Sequence, residues 1–141
     1  MDPQQMSEVT EIIQGPGTPE EKRRQVGEIL RGGPVSAEAS CTFKGELNAS
    51  YSSSLLTVNF HVRLTAPADG KVKGYSLFFQ TPDRIISWFS FTNYRDEDLR
   101  EVKGFQFFEI DPKELPDVVE VMLQVYTKDC DHVFREKVPI R

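Results

Sequence analysis

One stretch of the sequence alternates strictly between apolar and polar residues, and it restricts the fold more than any other. Within residues 54–65, every second position is apolar, namely Val58, Phe60, Val62 and Leu64. This period of two places the apolar side chains on one face of a β-strand and the polar ones on the other. The stretch therefore predicts a central strand of an antiparallel sheet, with one face buried and one in water.

Shorter runs of strand-forming residues surround this stretch, separated by turn-forming residues. The predicted strands are 40–43, 54–65, 71–80, 84–91, 105–110, 119–126 and 133–140, with 45–53 and 92–104 as loops. Pro139 cannot donate a ladder hydrogen bond, so the last strand is predicted at a sheet edge. No helix of crossover length separates the strands. The sequence predicts an all-β fold, an antiparallel seven-strand immunoglobulin-like β-sandwich, with an open barrel as the alternative.

Residues 1–34 differ from the rest and predict a helical N-terminal arm in front of a β-sandwich domain over 35–141. The arm contains two short amphipathic patterns, one through Val9 and Ile13 and one through Val26 and Leu30, and glycine-proline segments end each of them. Helices this short are marginal by themselves. They either cover a sheet or act as a docking or assembly arm, and the sequence leaves both open.

Composition and charge narrow the classes of partner. The chain has 141 residues and a net charge of −5, which argues against nucleic acid or an anionic membrane as a partner. No apolar run reaches the roughly 20 residues that span a bilayer, and no secretory signal is evident, so a cytoplasmic protein is expected. In that compartment Cys41 and Cys130 are expected as free thiols, with one disulfide as the alternative.

Neighbouring aromatic residues in two predicted strands suggest a binding face. Adjacent strand residues point to opposite faces, so Phe78–Phe79 and Trp88–Phe89 cannot all enter one core. The second face is either covered by the helices or exposed for binding. The predicted partner-binding residues are Phe78, Trp88, Phe89, Phe91 and Tyr94. Trp88 with Tyr94 is the candidate platform for a sugar.

Acidic residues cluster in loops that an up-and-down chain brings to one end of the sandwich. The loops are 66–70, 92–104 and 128–132, and the candidate calcium ligands in them are Asp69, Asp96, Asp98, Asp129 and Asp131. Carboxylate oxygens suit calcium, although the EF-hand spacing is absent. Solvated turn residues are the simpler explanation of the same pattern.

No catalytic motif is present, and the chain is not expected to be an enzyme. Cys130 with His132, or Cys41 with His61, could form a nucleophilic pair only if the fold brought them within hydrogen-bond reach. The sequence therefore predicts a non-catalytic binding or assembly module that uses protein–protein contacts of the sandwich and the arm, including self-association. The alternatives are a carbohydrate-binding module and a calcium-dependent binding domain.

Overall fold

Seven antiparallel strands form two sheets that pack face to face, and two helices precede them. The computed structural model describes residues 3–35 and 40–141. The elements are α1 (Pro3–Gln14), α2 (Pro19–Arg31), β1 (Thr42–Ser52), β2 (Leu55–Ala66), β3 (Gly74–Gln80), β4 (Ile85–Thr92), β5 (Glu101–Glu109), a 3₁₀ turn (Pro112–Glu114), β6 (Val118–Tyr126) and β7 (Asp131–Pro139). Sheet A has the order β1-β2-β5 and sheet B the order β4-β3-β6-β7. This arrangement confirms the predicted β-sandwich. No helix in the described ranges is long and apolar enough to cross a membrane.

The main core lies between the two sheets, and the alternation in β2 supplies one side of it. Leu56, Val58, Phe60, Val62 and Leu64 of β2 are all buried, while the polar residues between them lie outside the core. They face the apolar side chains of β3 and β6 in one cluster. Burying each such side chain contributes about 1.5–3 kcal/mol relative to exposure.

Strand β1 is much longer than the predicted strand 40–43, and this corrects the expectation of a loop over 45–53. β1 pairs with β2 from Thr42↔Ala66 to Ser52↔Leu55. Ser53 and Ser54 form the two-residue hairpin turn, and both have the positive φ angles of a type I′ turn. The serines and Asn48 suggested a loop, but they are turn residues and the outward positions of an edge strand.

A second core lies on the opposite face of sheet B, beneath the helices. Phe78, Met122 and Tyr126 of the sheet are fully buried there against Val9, Ile13, Val26 and Leu30 of the helices. The central strand β3 is consequently buried along its whole length. The N-terminal helices thus cover the sheet, which was one of the two possibilities that the sequence left open.

Polar contacts fix helix α2 on sheet B. Arg31 forms an ion pair with Asp131 beneath the helix end, and Arg23 Nη1 donates to Gln80 Oε1 at 2.5 Å. Burial lowers the pKa of Arg23, and the nearby positive charge of Arg135 lowers it further. Gly27 permits this close approach, because a Cβ atom there would lie 3.1 Å from the Tyr126 ring.

Cys41 and Cys130 form a disulfide, which corrects the expectation of two free thiols. The two Cα atoms are 6.3 Å apart although the residues are separated by 89 positions. The bond joins the chain just before β1 to the chain just before β7, where the edges of the two sheets come together. The compartment argument alone could not reveal this proximity, because it depends on how the sheets stack.

The other two edge strands lie on the opposite side of the sandwich. Because β1 lies against β7, the remaining edges, β5 of sheet A and β4 of sheet B, share the side away from the disulfide. We call this the open side, formed by Glu101–Glu109 and Ile85–Thr92.

Candidate binding site

Two phenylalanines on β5 are the most exposed pair of neighbouring aromatic rings in the described structure. Phe105 and Phe107 are 58% and 61% exposed, and their ring centroids are 6.1 Å apart. They point outward because the alternate residues of β5 point into the sandwich, where Val102 is buried and Gly104 lies against the Phe60 ring. Both rings therefore lie on the outer face of sheet A, at the open side.

The outer face of sheet A has neutral residues opposite the two rings and charged residues at both ends of β5. Phe105 lies opposite Asn59, and Phe107 lies opposite Thr57. Beyond Phe105 the residues in register are charged or titratable, namely Lys44, Glu46, His61, Arg63, Glu101 and Lys103. Leu55, at the hairpin end, is 36% exposed and extends the apolar part. The aromatic pair thus lies opposite neutral hydrogen-bonding groups, with Lys103 on one side along β5 and Glu109 on the other.

A hydrogen-bonded contact between a histidine and a glutamate marks the start of this charged region. His61 Nε2 contacts Glu101 Oε1 across the β2–β5 pair, and both side chains are about half exposed. Exposed pairs of this kind contribute little to stability, about 0–1 kcal/mol. We therefore assign His61 to the polar surface of the sheet, in agreement with its position in the alternation of β2.

The five aromatic residues predicted from the sequence do not form one exposed face. Phe78 is fully buried beneath the helices. Trp88 is half-buried and packs against the second core beneath the helices, whereas Phe89 and Phe91 pack at the edge of the main core. Tyr94 is 70% exposed beyond the end of β4, with Arg95 Cζ 5.5 Å from its ring centroid. The rings of Trp88 and Tyr94 are not in contact with each other in the described structure. Phe78 cannot belong to a binding surface, because it is buried.

Phe89 and Phe91 of β4, which are half-buried, pack through Tyr75 against the main core. The Tyr75 ring lies between Phe60 and Phe91, at centroid distances of 5.1 and 5.3 Å, and Phe89 is 6.2 Å away. Burial raises the pKa of Tyr75. These contacts hold β4 firmly on sheet B, although its outer edge pairs with no other strand in the described ranges.

The acidic loops do meet at one end of the sandwich, as the predicted topology required. Asp69, Asp96 and Asp129 line a cavity of about 500 Å³. The Arg100 guanidinium holds the 66–70 loop by donating to the carbonyl oxygens of Pro67, Ala68 and Gly70. The up-and-down argument therefore located these loops correctly.

The charges in that cavity differ from the predicted calcium site. Lys71, Lys73 and Lys128 line it together with the acids. Lys71 Nζ and Lys73 Nζ lie 3.1 and 3.3 Å from the Asp96 carboxylate, and their hydrogen bonds hold the pKa of Asp96 below its usual range.

The remaining candidate ligands are also engaged elsewhere or exposed. Asp131 is paired with Arg31 and accepts a hydrogen bond from Gln124 Nε2 at 2.9 Å, and Asp98 is exposed outside the cavity. No group of three or more acidic, histidine or cysteine residues within residues 3–35 and 40–141 is placed to hold a metal ion. The calcium-ligand prediction is corrected accordingly, because lysines occupy the positions next to the carboxylates.

Neither of the two cysteine–histidine pairs can supply a thiolate nucleophile, because both cysteines are in the disulfide. His132 is packed between the rings of Phe43 and Phe134, at 5.9 and 4.7 Å. Its position is explained by aromatic packing next to the disulfide.

Sequence reasoning missed Phe105 and Phe107, although a signal was present. The two residues share the odd positions of β5 with Glu101, Lys103 and Glu109, and those charges mark the solvent-facing side. Placing 92–104 in a loop removed Glu101 and Lys103 from the strand, so the pattern was lost. The exposure of the pair followed only from the full length of β5.

Comparisons with known proteins support the fold. The sequence matches no family model and no curated protein. A DUF3823 family protein from Bacteroides ovatus aligns with 70% of this chain and 56% of its own length, at 13% identity and a TM-score of 0.50. Wild-type OgpA from Akkermansia muciniphila aligns with 75% of this chain and 30% of its own length, at 10% identity and a TM-score of 0.54. A second crystal form of wild-type OgpA gives 12% identity and the same TM-score.

These similarities establish the β-sandwich architecture alone, because the sequence identities are far too low to carry a function. The chain spans about half the length of the first protein and less than a third of the second. It is thus a β-domain whose fold also occurs as part of larger proteins.

Proposed function

We propose that this β-sandwich is a non-catalytic module that binds another protein through the outer face of sheet A, with Phe105 and Phe107 as anchors. The observation that carries the proposal is the exposure of both rings, 58% and 61%, on a face whose other residues are mainly polar. Aromatic residues are enriched in protein interfaces and often dominate their binding energy. Covering one such ring contributes about 1.5–3 kcal/mol.

The surroundings of the rings define the chemistry of a suitable partner. Thr57 and Asn59 lie opposite the rings and offer neutral donors and acceptors, and Asn48 continues this neutral part on the next strand. Along β5 the rings are flanked by the charged residues Lys103 and Glu109. A protein surface with an apolar projection bordered by hydrogen-bonding groups fits this arrangement. The helical arm does not belong to this site, because its apolar residues are buried against sheet B.

The proposal is tested with the double variant Phe105→Ser/Phe107→Ser and the matched control Lys103→Ser on the same face of β5. Proteins retained by the wild-type chain from its source cells are identified, and the affinity of each purified candidate is measured by calorimetry. Loss of two anchors of about 2 kcal/mol each weakens binding roughly 10³-fold. Equal affinity of wild type and double variant for every retained protein would refute the proposal.

The fold must survive these substitutions for the comparison to be valid. Exposed positions away from special features change stability by less than about 0.5 kcal/mol. Urea unfolding of the double variant should therefore match that of Lys103→Ser.

A carbohydrate is the second candidate ligand, since the exposed rings lie beside the amide of Asn59. A glycan array probed with the wild-type chain and the double variant distinguishes the two ligands. A glycan bound by the wild type and lost in the variant would replace the protein partner in this proposal.

A further inference from the structure

We propose that β4 is a self-pairing edge, through which two copies of the chain associate by antiparallel hydrogen bonding of their β4 strands. The two four-stranded sheets B would then form one continuous sheet across the dimer. This inference rests on β4 alone and holds whether or not Phe105 and Phe107 bind a partner.

The first observation is that β4 lacks the features that normally protect an edge strand. Natural edge strands avoid pairing with other chains by carrying charges, proline or bulges. The sequence of β4 (Ile85–Thr92) is IISWFSFT, with no charged residue and no proline. Its register shift against β3 lies between Ile85 and Ser87, so the strand pairs regularly from Ser87 to Thr92.

The other three edge strands provide an internal comparison. β7 contains Arg135, Glu136 and Lys137 and ends at Pro139. β1 contains Lys44 and Glu46, and β5 contains Glu101, Lys103 and Glu109. The uncharged edge is thus specific to β4 and does not follow from the composition of the chain.

The second observation is that β4 is held in a form ready for pairing. Its residues from Ile85 to Phe91 are all half-buried, with Trp88 against the helical cluster and Phe89 and Phe91 against the main core. Because both faces are supported, the strand need not become ordered when a second strand joins it. Such preorganisation reduces the entropic cost of association.

The third observation identifies the occupant as a second copy. A strand without charge can lie opposite an identical strand without placing like charges together. We place the two-fold axis at Phe89, because this register matches Asp83, in the turn before β4 of each copy, with Arg95, which follows β4 in the other. The same register also places Arg84 beside the exposed Tyr94 of the second copy, a cation–π arrangement. The two ends of the strand are therefore complementary to each other in an antiparallel pair.

The size of the contact predicts a weak but closed dimer. In this register the seven residues 86–92 pair within β4 and extend over about 23 Å, so the interface belongs to the small class of transient contacts. A dissociation constant in the micromolar to sub-millimolar range is expected. Since both copies use the same edge, the contact is isologous and stops at two subunits.

The test compares Ser87→Glu with the matched neutral variant Ser87→Gln. Ser87 lies in the middle of β4, and in the proposed register it lies opposite Phe91 of the second copy. Sedimentation of the full chain is followed from about 1 µM to about 1 mM. We expect the wild type and Ser87→Gln to dimerise with dissociation constants within about twofold, and Ser87→Glu to weaken the dimer at least about tenfold.

Hydrogen exchange of the wild-type chain tests the same surface without any substitution. Amides of β4 should exchange more slowly at high than at low concentration, whereas those of the charged edge β7 should not change. A chain that is monomeric at all concentrations would overturn the proposal. So would a dimer that Ser87→Glu does not weaken, or one that protects an edge other than β4. The variant Phe105→Ser/Phe107→Ser should leave the dimer intact, so failure of one proposal can be distinguished from failure of the other.

Discussion

Removing the Cys41–Cys130 disulfide should destabilise the chain strongly. The bond closes a loop across 89 positions of sequence. In the chain-entropy description, a cross-link of this length removes about 4–5 kcal/mol of denatured-state entropy at 25 °C. The double variant Cys41→Ser/Cys130→Ser should therefore lose about this amount in its free energy of unfolding.

Urea unfolding followed by tryptophan fluorescence measures this loss. With a slope of about 2 kcal/mol per molar urea, the midpoint should fall by about 2 M. The same shift should appear when the wild type is reduced, and the reductant should not change the double variant. This last comparison separates loss of the bond from any effect of the serines.

Alkylation of the denatured, unreduced wild type provides the independent check. No thiol should react, because both cysteines are bonded. Two reactive thiols, or a double variant within about 1 kcal/mol of the wild type, would refute the reasoning. The oxidation state of the two cysteines is also relevant to the location of the protein, because a reducing cytosol favours free thiols. The cytoplasmic location stays a prediction.

Three further substitutions test the packing and charges of the structure. Tyr126 is fully buried, and its hydroxyl interacts with the Ser76 side chain but forms no hydrogen bond of good geometry among the described residues. Tyr126→Phe should therefore raise the free energy of unfolding by about 1 kcal/mol in urea titrations. A Cβ atom on Gly104 would lie 2.7 Å from Cζ of the buried Phe60, so Gly104→Ala should lower that free energy by about 1–3 kcal/mol. Lys73→Met should raise the pKa of Asp96, measured by NMR titration of its carboxyl, toward its usual value, because one of the two ammonium hydrogen bonds is lost.

Each of these expectations has an outcome that contradicts it. A loss of stability in Tyr126→Phe would show that the hydroxyl makes a favourable hydrogen bond. An unchanged midpoint in Gly104→Ala, compared with the exposed control Lys103→Ala, would show that the Phe60 ring can move.

Because the folded pKa of Asp96 is lowered, its stabilising contribution is present above the unfolded pKa and disappears as the pH falls through the folded pKa. An Asp96 that titrates identically in wild type and Lys73→Met would show that Lys73 does not determine its pKa.

Several features of the fold followed from local sequence patterns, because they depend on residues close together in the chain. The alternation in β2 identified its buried face correctly. The end of α2 was also evident from its glycines, since Gly32 has a positive φ angle and its backbone N–H donates to the Glu28 carbonyl oxygen at 2.9 Å. Pro139 correctly indicated that β7 is an edge strand. Turn residues marked the positions of the acidic loops, and the up-and-down topology then placed these loops at one end.

The candidate site was predicted only in part, because the exposure of a residue depends on what packs against it. The sequence showed only that Phe78–Phe79 and Trp88–Phe89 cannot all enter one core. The structure decided that Phe78 and Trp88 are the members on the far side of sheet B and that the docked helices cover them. The charged odd positions of β5 mark the solvent-facing side of the strand, but only the structure shows that no described element covers Phe105 and Phe107.

Hydrophobic period and turn chemistry are local, so they were enough to predict the number of strands, the buried face of β2 and the ends of the helices. The disulfide, the helices packed on sheet B and the unpaired edge of β4 could be seen only in the folded structure. Each of these depends on distances between residues far apart in the chain, and such distances are set by how the layers stack.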